Sequence, residues 1–394
     1  MKKQTQAIHL EYERRDAYDS LSVPVYNTLA YEFDNAAVMA EAFTDKIKAP
    51  DYSRVENPTV TNLERRVAAL TDAAHATAFN SGMAAISNTL MALAAQGKNI
   101  VTSKHLFGNT YALLVATLRR FGVKVRLRDL TNIETVREAI DDDTCCVFLE
   151  ILTNPQLEVA DLKAISEVAH EKNVPLVVDS TVIPFTQFSA KSLGVDIEVV
   201  SSSKYVSGGA TSLGGLVIDY GTPYNGDFAK RLYGEMLFNF GAYMTPQVAY
   251  MQTIGLETLD ARYRVQSSNA LDLAKKLRSL PQIKYVNYVG LEDNPYHELA
   301  QRQFGKTAGA MICIDLESKE ACFSFLNNLK LIHRATNLFD NRSLAIHPAS
   351  TIFGAFSENM RKSMDVKDTT IRLSIGLEDV DDLFEDIKQA IDSL

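Results

Sequence analysis

The sequence has little cysteine. Cys145, Cys146, Cys313 and Cys322 are the only four in 394 residues, with no C-x-x-C pair and no histidine cluster beside them. A zinc centre, or any other metal site, is therefore not expected. Adjacent Cys145 and Cys146 point to opposite faces of a strand, and all four read as buried thiols of a reducing compartment. Long apolar runs are also missing. None approaches the roughly 18 residues of a membrane span, and the opening residues MKKQTQAIHLEYERRD have no apolar h-region. A soluble, cytoplasmic protein with no membrane partner is expected. Positive charge is in deficit, with 40 Lys+Arg against 49 Asp+Glu and a net charge of −9. Nucleic acid as the main partner is thereby disfavoured, because phosphate contact needs clustered cations. Neither G-x-G-x-x-G nor G-x-x-x-x-G-K-[ST] occurs, so dinucleotide and nucleoside triphosphate readings lose ground. No repeat, low-complexity tract or linker interrupts the chain.

What is present divides into three stretches. At roughly 150 residues per domain, the length suggests two to three domains with a core large enough to need no disulfide. Residues 1–56 read as an irregular arm that packs on a neighbouring subunit or on the chain's own surface. Residues 57–250 alternate helices and strands, as an α/β fold with a mostly parallel central sheet does. Leu63, Val67 and Leu70 mark a helix capped by Thr61 or Asn62. ATAF is a strand, Asn80-Ser81-Gly82 a turn, and MAAISNTLMALAAQ a helix closed by Gly97. NIVTS, CCVFLE, LVVD and IEVV are further strands, and Asp161 caps a helix. Residues 251–394 form a smaller α+β domain. Its long helical pattern is GLETLDARYRVQSSNALDLAKKL, and MICIDL and IRLSIGL alternate as half-exposed strands. Asp379 caps an amphipathic terminal helix.

Chemistry concentrates where strands end. Lys204 follows IEVV and three serines, just past the carboxyl end of a strand, where open α/β sheets place ligands. A lysine in such a loop is usually just solvated, but Asp179 ends the strand LVVD one crossover earlier. A lysine and a carboxylate on one sheet edge suit pyridoxal phosphate, which needs a Schiff-base lysine and an acid that keeps its ring nitrogen protonated. Ser81-Gly82-Met83 opens a helix after a strand, where free amides and the helix dipole favour an anion. Ser201 and Ser203 flank that edge and offer hydroxyls. Arg372 lies on the polar side of IRLSIGL, opposite Ile371, Leu373 and Ile375, where a guanidinium can grip a carboxylate. Tyr52 and Arg54, at the end of the arm, are uninformative by pattern alone.

These residues sit in collinear motifs: YSRVENPTVTNLE (52–64), SGMAAI (81–86), LEILTNP (149–155), VVDST (177–181), SSSKYVSGG (201–209), HPAST (347–351) and IRLSIGLED (371–379). From about residue 20 onward the chain resembles the Cys/Met-metabolism family of pyridoxal-phosphate enzymes. That family includes cystathionine synthases and lyases, methionine γ-lyase and O-acylhomoserine sulfhydrylases. The resemblance implies the aspartate-aminotransferase-type fold, with residues 57–250 binding the cofactor. It implies Lys204 as Schiff-base lysine and proton shuttle, and Asp179 on the ring nitrogen. Gly82, Met83, Ser201 and Ser203 would hold the phosphate, and Phe107 would stack on the ring. Asn154 would lie near the ring oxygen, and Arg372 would bind the substrate carboxylate. Tyr52 and Arg54 would reach a neighbouring subunit's phosphate, within a homotetramer built from two active dimers.

Some positions depart from the family pattern. Phe107 stands where many members carry Tyr, so the hydroxyl that protonates a leaving group is absent. Asn109 replaces the cysteine usual in methionine γ-lyases, Ser203 replaces Thr, and Phe339 replaces a glycine. Asn337, in ATNLFDNRSLAIHPAST, matches the segment of O-acetylhomoserine sulfhydrylases. The resemblance thus implies γ-replacement on O-acetylhomoserine with sulfide or a thiol. Methionine γ-lyase and cystathionine γ-synthase or lyase are the alternatives. A non-catalytic binding protein on the same scaffold is disfavoured, since such a chain has no reason to keep Lys204, Asp179 and Arg372 together.

Overall fold

The computed structural model describes residues 1–10, 16–44, 46–306 and 308–394. The part of the expected arm at residues 11–15 and at Asp45 lies outside the described residues.

Seven strands form the large sheet: β1 (His75–Phe79), β2 (Asn99–Ser103), β3 (Lys124–Arg128), β4 (Thr144–Glu150), β5 (Leu176–Asp179), β6 (Ile197–Val200) and β7 (Gly215–Asp219). Their spatial order is β1-β7-β6-β5-β4-β2-β3. β7 runs antiparallel to β1 and β6, and the other pairs are parallel. Successive residues supply opposite faces, as the pleat requires. Val147, Leu149 and Val178 join one core, while Cys146, Phe148 and Val177 join the other. Covered on both sides, such strands read as continuous apolar runs.

A five-stranded sheet lies toward the C-terminus: β8 (Tyr285–Asn287), β9 (Met311–Asp315), β10 (His333–Arg334), β11 (Leu344–Ile346) and β12 (Thr370–Ser374), in the order β10-β11-β12-β9-β8. Helices Leu259–Leu277, Lys319–Asn328 and Val380–Ile391 pack together on it. β9 and β12 were expected to be half-exposed. Every residue of β12 is buried, and only Asp315 of β9 is partly exposed. The polar side of β12 faces protein rather than water.

Local signals shift several boundaries. Asn57, not Thr61 or Asn62, caps the helix Pro58–Thr71: its Oδ1 accepts from Thr59 N at 3.0 Å, and Pro58 takes the first helical position. The apolar stripe begins a turn after the helix does, which displaced the expected cap. The next helix spans Gly82–Leu93 and ends before Gly97, because Ala94 is already extended. The long pattern at 255–277 is divided at Thr258, between helices Pro246–Glu257 and Leu259–Leu277. Cys145 is half-buried, against the expectation for all four thiols, and none of the four is in a disulfide. Among its described residues the arm holds two short helices, Lys3–His9 and Ala36–Ala42. The first is pinned to its own chain, with Arg66 donating to Ala7 O at 2.7 Å and Lys3 to Phe188 O at 3.0 Å. Beyond it Tyr18, Leu21 and Leu29 are exposed. Among the described residues no helix is long and apolar enough to cross a membrane.

Candidate active site

Parallel pairing of β5 with β6 puts Asp179 beside Val199. The chain then runs through Ser201, Ser202 and Ser203 to Lys204, so Asp179 and Lys204 share the carboxyl edge of the sheet. Lys204 Nζ donates to Asn337 Oδ1 at 2.8 Å. Burial, and then the charge of Arg372, lower the amine's pKa to about 8. The lowered pKa makes the neutral form more accessible than for a solvated lysine, as a proton acceptor needs.

Arg372 lies in the middle of β12, paired with Ile346 on one side and Cys313 on the other. The residue is 2 % exposed. Nη1 donates to Asn154 Oδ1 and Nη2 to Asn337 O, both at 3.2 Å. Nε is buried with no hydrogen-bond partner among the described residues. A buried cation with a spare donor can take an incoming carboxylate. Lys204, Asn337, Arg372 and Asn154 thus form one hydrogen-bonded chain linking the two sheets.

Asp179 accepts from Thr181 N at 2.9 Å, and burial raises its pKa. Its partner across the ladder is Glu150, at the end of β4. Burial, and then the charge of Asp179, push the Glu150 carboxyl up to about 8. A proton kept on Glu150 leaves Asp179 free to hold the charge that a protonated ring nitrogen needs. Glu150 Oε1 also accepts from Phe107 N at 2.5 Å, which fixes the loop after β2. Sequence reasoning missed Glu150. Its signal lay in LEILTNP, one strand away from Asp179.

At the other end of the edge, Ser81 caps the helix Gly82–Leu93, its Oγ accepting from Ala84 N at 3.1 Å. The amides of the first turn have no intrahelical acceptor. A Cβ at Gly82 would lie 2.6 Å from Ser201 Cβ, so only glycine lets these two residues approach. Gly82 and Ser201 therefore sit in close contact beside the free amides of the helix's first turn, an arrangement suited to an anion. Ser203, beside them, also bonds the chain itself. Its Oγ donates to Gly214 O at 3.1 Å and accepts from Gly214 N at 2.9 Å, pinning the entry to β7.

Tyr52 and Arg54 do not join this cluster within one chain. Arg54 Nη1 donates to Phe238 O, and its guanidinium sits 5.8 Å from the centre of the Tyr52 ring, itself 41 % exposed. Phe339, the family's glycine position, has φ +56 and stacks on Tyr205 at 3.9 Å, directly behind Lys204. The left-handed backbone explains why glycine is usual there, and the stacking shows what holds a phenylalanine in it.

The geometry supplies each end of pyridoxal phosphate: an amine of lowered pKa, an acid at the end of β5, and an anion cradle that a Cβ would fill. The comparisons agree. The family model described as Cys/Met metabolism PLP-dependent enzyme matches residues 4–392. L-methionine gamma-lyase from Fusobacterium nucleatum subsp. polymorphum is 37 % identical over 394 residues, covering 99 % of this chain and 98 % of the relative. O-acetyl-L-homoserine sulfhydrylase from Corynebacterium glutamicum is 31 % identical, covering 98 % and 95 %. A Campylobacter jejuni crystal structure described as O-acetylhomoserine (thiol)-lyase, with N'-pyridoxyl-lysine-5'-monophosphate, superposes with a TM-score of 0.95 at 35 % identity, covering all of both chains. The chain belongs to the Cys/Met metabolism family, a pyridoxal-phosphate-dependent transferase or lyase of sulfur amino acids.

Proposed function

We propose that the enzyme replaces the γ-substituent of O-acetylhomoserine with sulfide or a thiol, giving homocysteine or methionine. The observation that carries this reading is Asn337, whose side chain receives Lys204 and whose carbonyl receives Arg372. It couples the proton-moving amine to the carboxylate clamp, on the segment that resembles the sulfhydrylases. Pyridoxal phosphate supplies, when bound, an electron sink conjugated to the substrate α carbon.

The chain's own groups do the rest. Arg372 orients the substrate carboxylate in a two-pronged contact. Lys204, as a neutral amine, takes the α proton and then moves a proton at the β carbon. Asp179 holds the proton on the ring nitrogen. Gly82, Met83, Ser201 and Ser203 would hold the phosphate, with Ser203 also bracing their loop through Gly214, and Phe107 would pack on the ring face. Asn154 keeps Arg372 and the ring oxygen in register. Acetate is a weak base and leaves without an acid, so Phe107 in place of a tyrosine suits this substrate better than a thiolate-releasing one.

Tyr52 and Arg54, which do not reach the cluster of their own chain, would complete the phosphate site of a neighbour, in a homotetramer made of two active dimers. On this reading residues 1–56 are the subunit-bridging arm, 57–250 the cofactor-binding domain and 251–394 the domain that carries Arg372. The enzyme works in the cytoplasm. The second reading, methionine γ-lyase, is favoured by the 37 % identity to a relative of that name. Purified holoenzyme decides between them. O-acetylhomoserine with sulfide should yield homocysteine far faster than methionine alone yields 2-oxobutyrate, and the reverse ratio refutes the proposal.

A further inference from the structure

His105 lies two residues before Phe107 and is 6 % exposed. Both of its ring nitrogens meet carboxylates: Nδ1 is 2.5 Å from Glu158 Oε2 and Nε2 is 2.7 Å from Asp365 Oδ2. A neutral imidazole carries one N–H and can donate only once, so this arrangement suits the imidazolium. Lys104 also reaches Asp365 Oδ2, at 2.7 Å. Two cations and two carboxylates balance. Loss of the histidine proton leaves a ring lone pair facing a carboxylate and a net negative charge.

The partners belong to three separate segments. Ser103 Oγ accepts from His105 N at 2.9 Å, and Phe107 N is held by Glu150, so His105 stiffens the loop that presents Phe107. Glu158 closes the turn that carries Asn154: its carbonyl accepts from Thr153 N and its amide donates to Thr153 Oγ1, both at 3.0 Å. Asp365 follows the helix Glu358–Ser363, in a segment whose Phe356 meets Tyr111 edge-on at 5.9 Å. Gln156 ties the same turn to Met364 O at 2.6 Å. Other charged groups nearby are engaged elsewhere, Arg361 with Asp368 and Lys362 with Glu358, while Tyr296 lies within electrostatic reach of Glu158.

We propose that His105, as imidazolium, is a positioning residue that locks the Phe107 loop, the Asn154 turn and the Asp365 segment together, so that substrate binding weakens when its proton is lost. This rests on the reading of Phe107 and Asn154 given above. Burial alone would lower the histidine pKa, but Glu158 and then Asp365 outweigh it and raise it. The sign follows: the lock is complete in acid and is lost as pH rises through the raised value.

The test uses holoenzyme and compares wild type with His105→Gln and Asp365→Asn between pH 6.5 and 9. KM for the amino acid substrate should rise about tenfold across this range in wild type, with cofactor absorbance unchanged. In His105→Gln, KM should be high and flat, because glutamine does not titrate, while kcat changes little. Lys204 and the substrate amine titrate in both proteins, so the difference between them isolates His105. Asp365→Asn should move the wild-type rise to lower pH. Hydrogen–deuterium exchange, corrected for intrinsic rate, reads the lock without reference to the reaction. Peptides 103–112 and 356–366 should open at high pH in wild type and at all pH values in His105→Gln. Exchange that follows this pattern in an enzyme inactive toward O-acetylhomoserine refutes the substrate reading and keeps the lock. A wild-type KM profile and wild-type exchange in folded His105→Gln overturn the lock. Should that variant fail to fold, an unshifted KM rise in Asp365→Asn does the same.

Discussion

The two sheets deliver their chemistry in different ways. The large sheet places Asp179 and Lys204 at or just past the ends of parallel strands, where the chain turns into loops. The small sheet places Arg372 mid-strand, with ladder partners on both sides. The difference matches the tasks. A lysine that must hold a cofactor and then move protons needs a side chain free to swing. A guanidinium that recognises a planar carboxylate needs a fixed direction, and flanking strands provide it. Asn337 is where the two meet, bonded to both cations.

The largest effect should come from the swinging group. Lys204→Ala should lose the visible absorption of the bound cofactor, and kcat should fall by at least the ~10²–10⁴ that a positioned acid–base group contributes. A colourless wild type in excess cofactor would remove Lys204 from its role. The fixed group comes next. A charge-assisted contact in a desolvated site is worth about 1.5–3 kcal/mol, so Arg372→Ala should lower kcat/KM roughly tenfold to a few hundredfold. Arg372→Lys should remain impaired, since a point charge cannot replace the fork, yet both variants should keep the cofactor. Arg372 also helps hold Lys204 near 8, though less than burial does. In cofactor-free Arg372→Gln, Lys204 should therefore titrate at higher pH, measured by the pH dependence of its acylation rate. Wild-type kcat/KM in both Arg372→Ala and Arg372→Lys would leave Arg372 a structural strand residue.

A third region, the exposed arm, breaks the comparison differently, because its groups would serve a site in another chain. Arg54→Ala and Lys204→Ala should each be inactive alone. Mixed in equal amounts and allowed to exchange subunits, they should recover about a quarter of wild-type activity, since half of random dimers are mixed and each has one intact site of two. No recovery after proven exchange would mean that Arg54 acts within its own chain.

The two sheets were also unequally legible. Buried on both faces, β4, β5 and β6 stand out as apolar runs, and Asp179 is conspicuous at the end of one. β12 alternates, and alternation separates apolar from polar faces without saying whether the polar face meets water or an active site. Alternation alone therefore put Arg372 on a polar face without saying what that face meets, and the structure shows its guanidinium against Asn154 and Asn337. Glu150 and His105 were missed because their roles depend on neighbours distant in sequence: Asp179 for one, Glu158 and Asp365 for the other. At Phe339 the departure from glycine was visible, but neither the positive φ nor the stacking on Tyr205 that sustains it was.

The smallest expected effect concerns Phe107, which the loop after β2 presents and Glu150 clamps through its backbone amide. Because the clamp grips the main chain, exchanging the side chain should leave the loop in place. Phe107→Tyr adds only a hydroxyl. If acetate leaves without protonation, that hydroxyl has nothing to do in the O-acetylhomoserine reaction, and kcat/KM should stay within about threefold of wild type, a change below about 1 kcal/mol. Thiolate release from methionine is different, because a positioned acid stabilises a basic leaving group. The variant should therefore raise the rate of 2-oxobutyrate formation from methionine relative to that of homocysteine from O-acetylhomoserine. The readout is the ratio of the two kcat/KM values, which cancels errors in active-site concentration. An unchanged ratio would mean that position 107 does not govern leaving-group choice, and that discrimination lies with Asn337 and the segment around it.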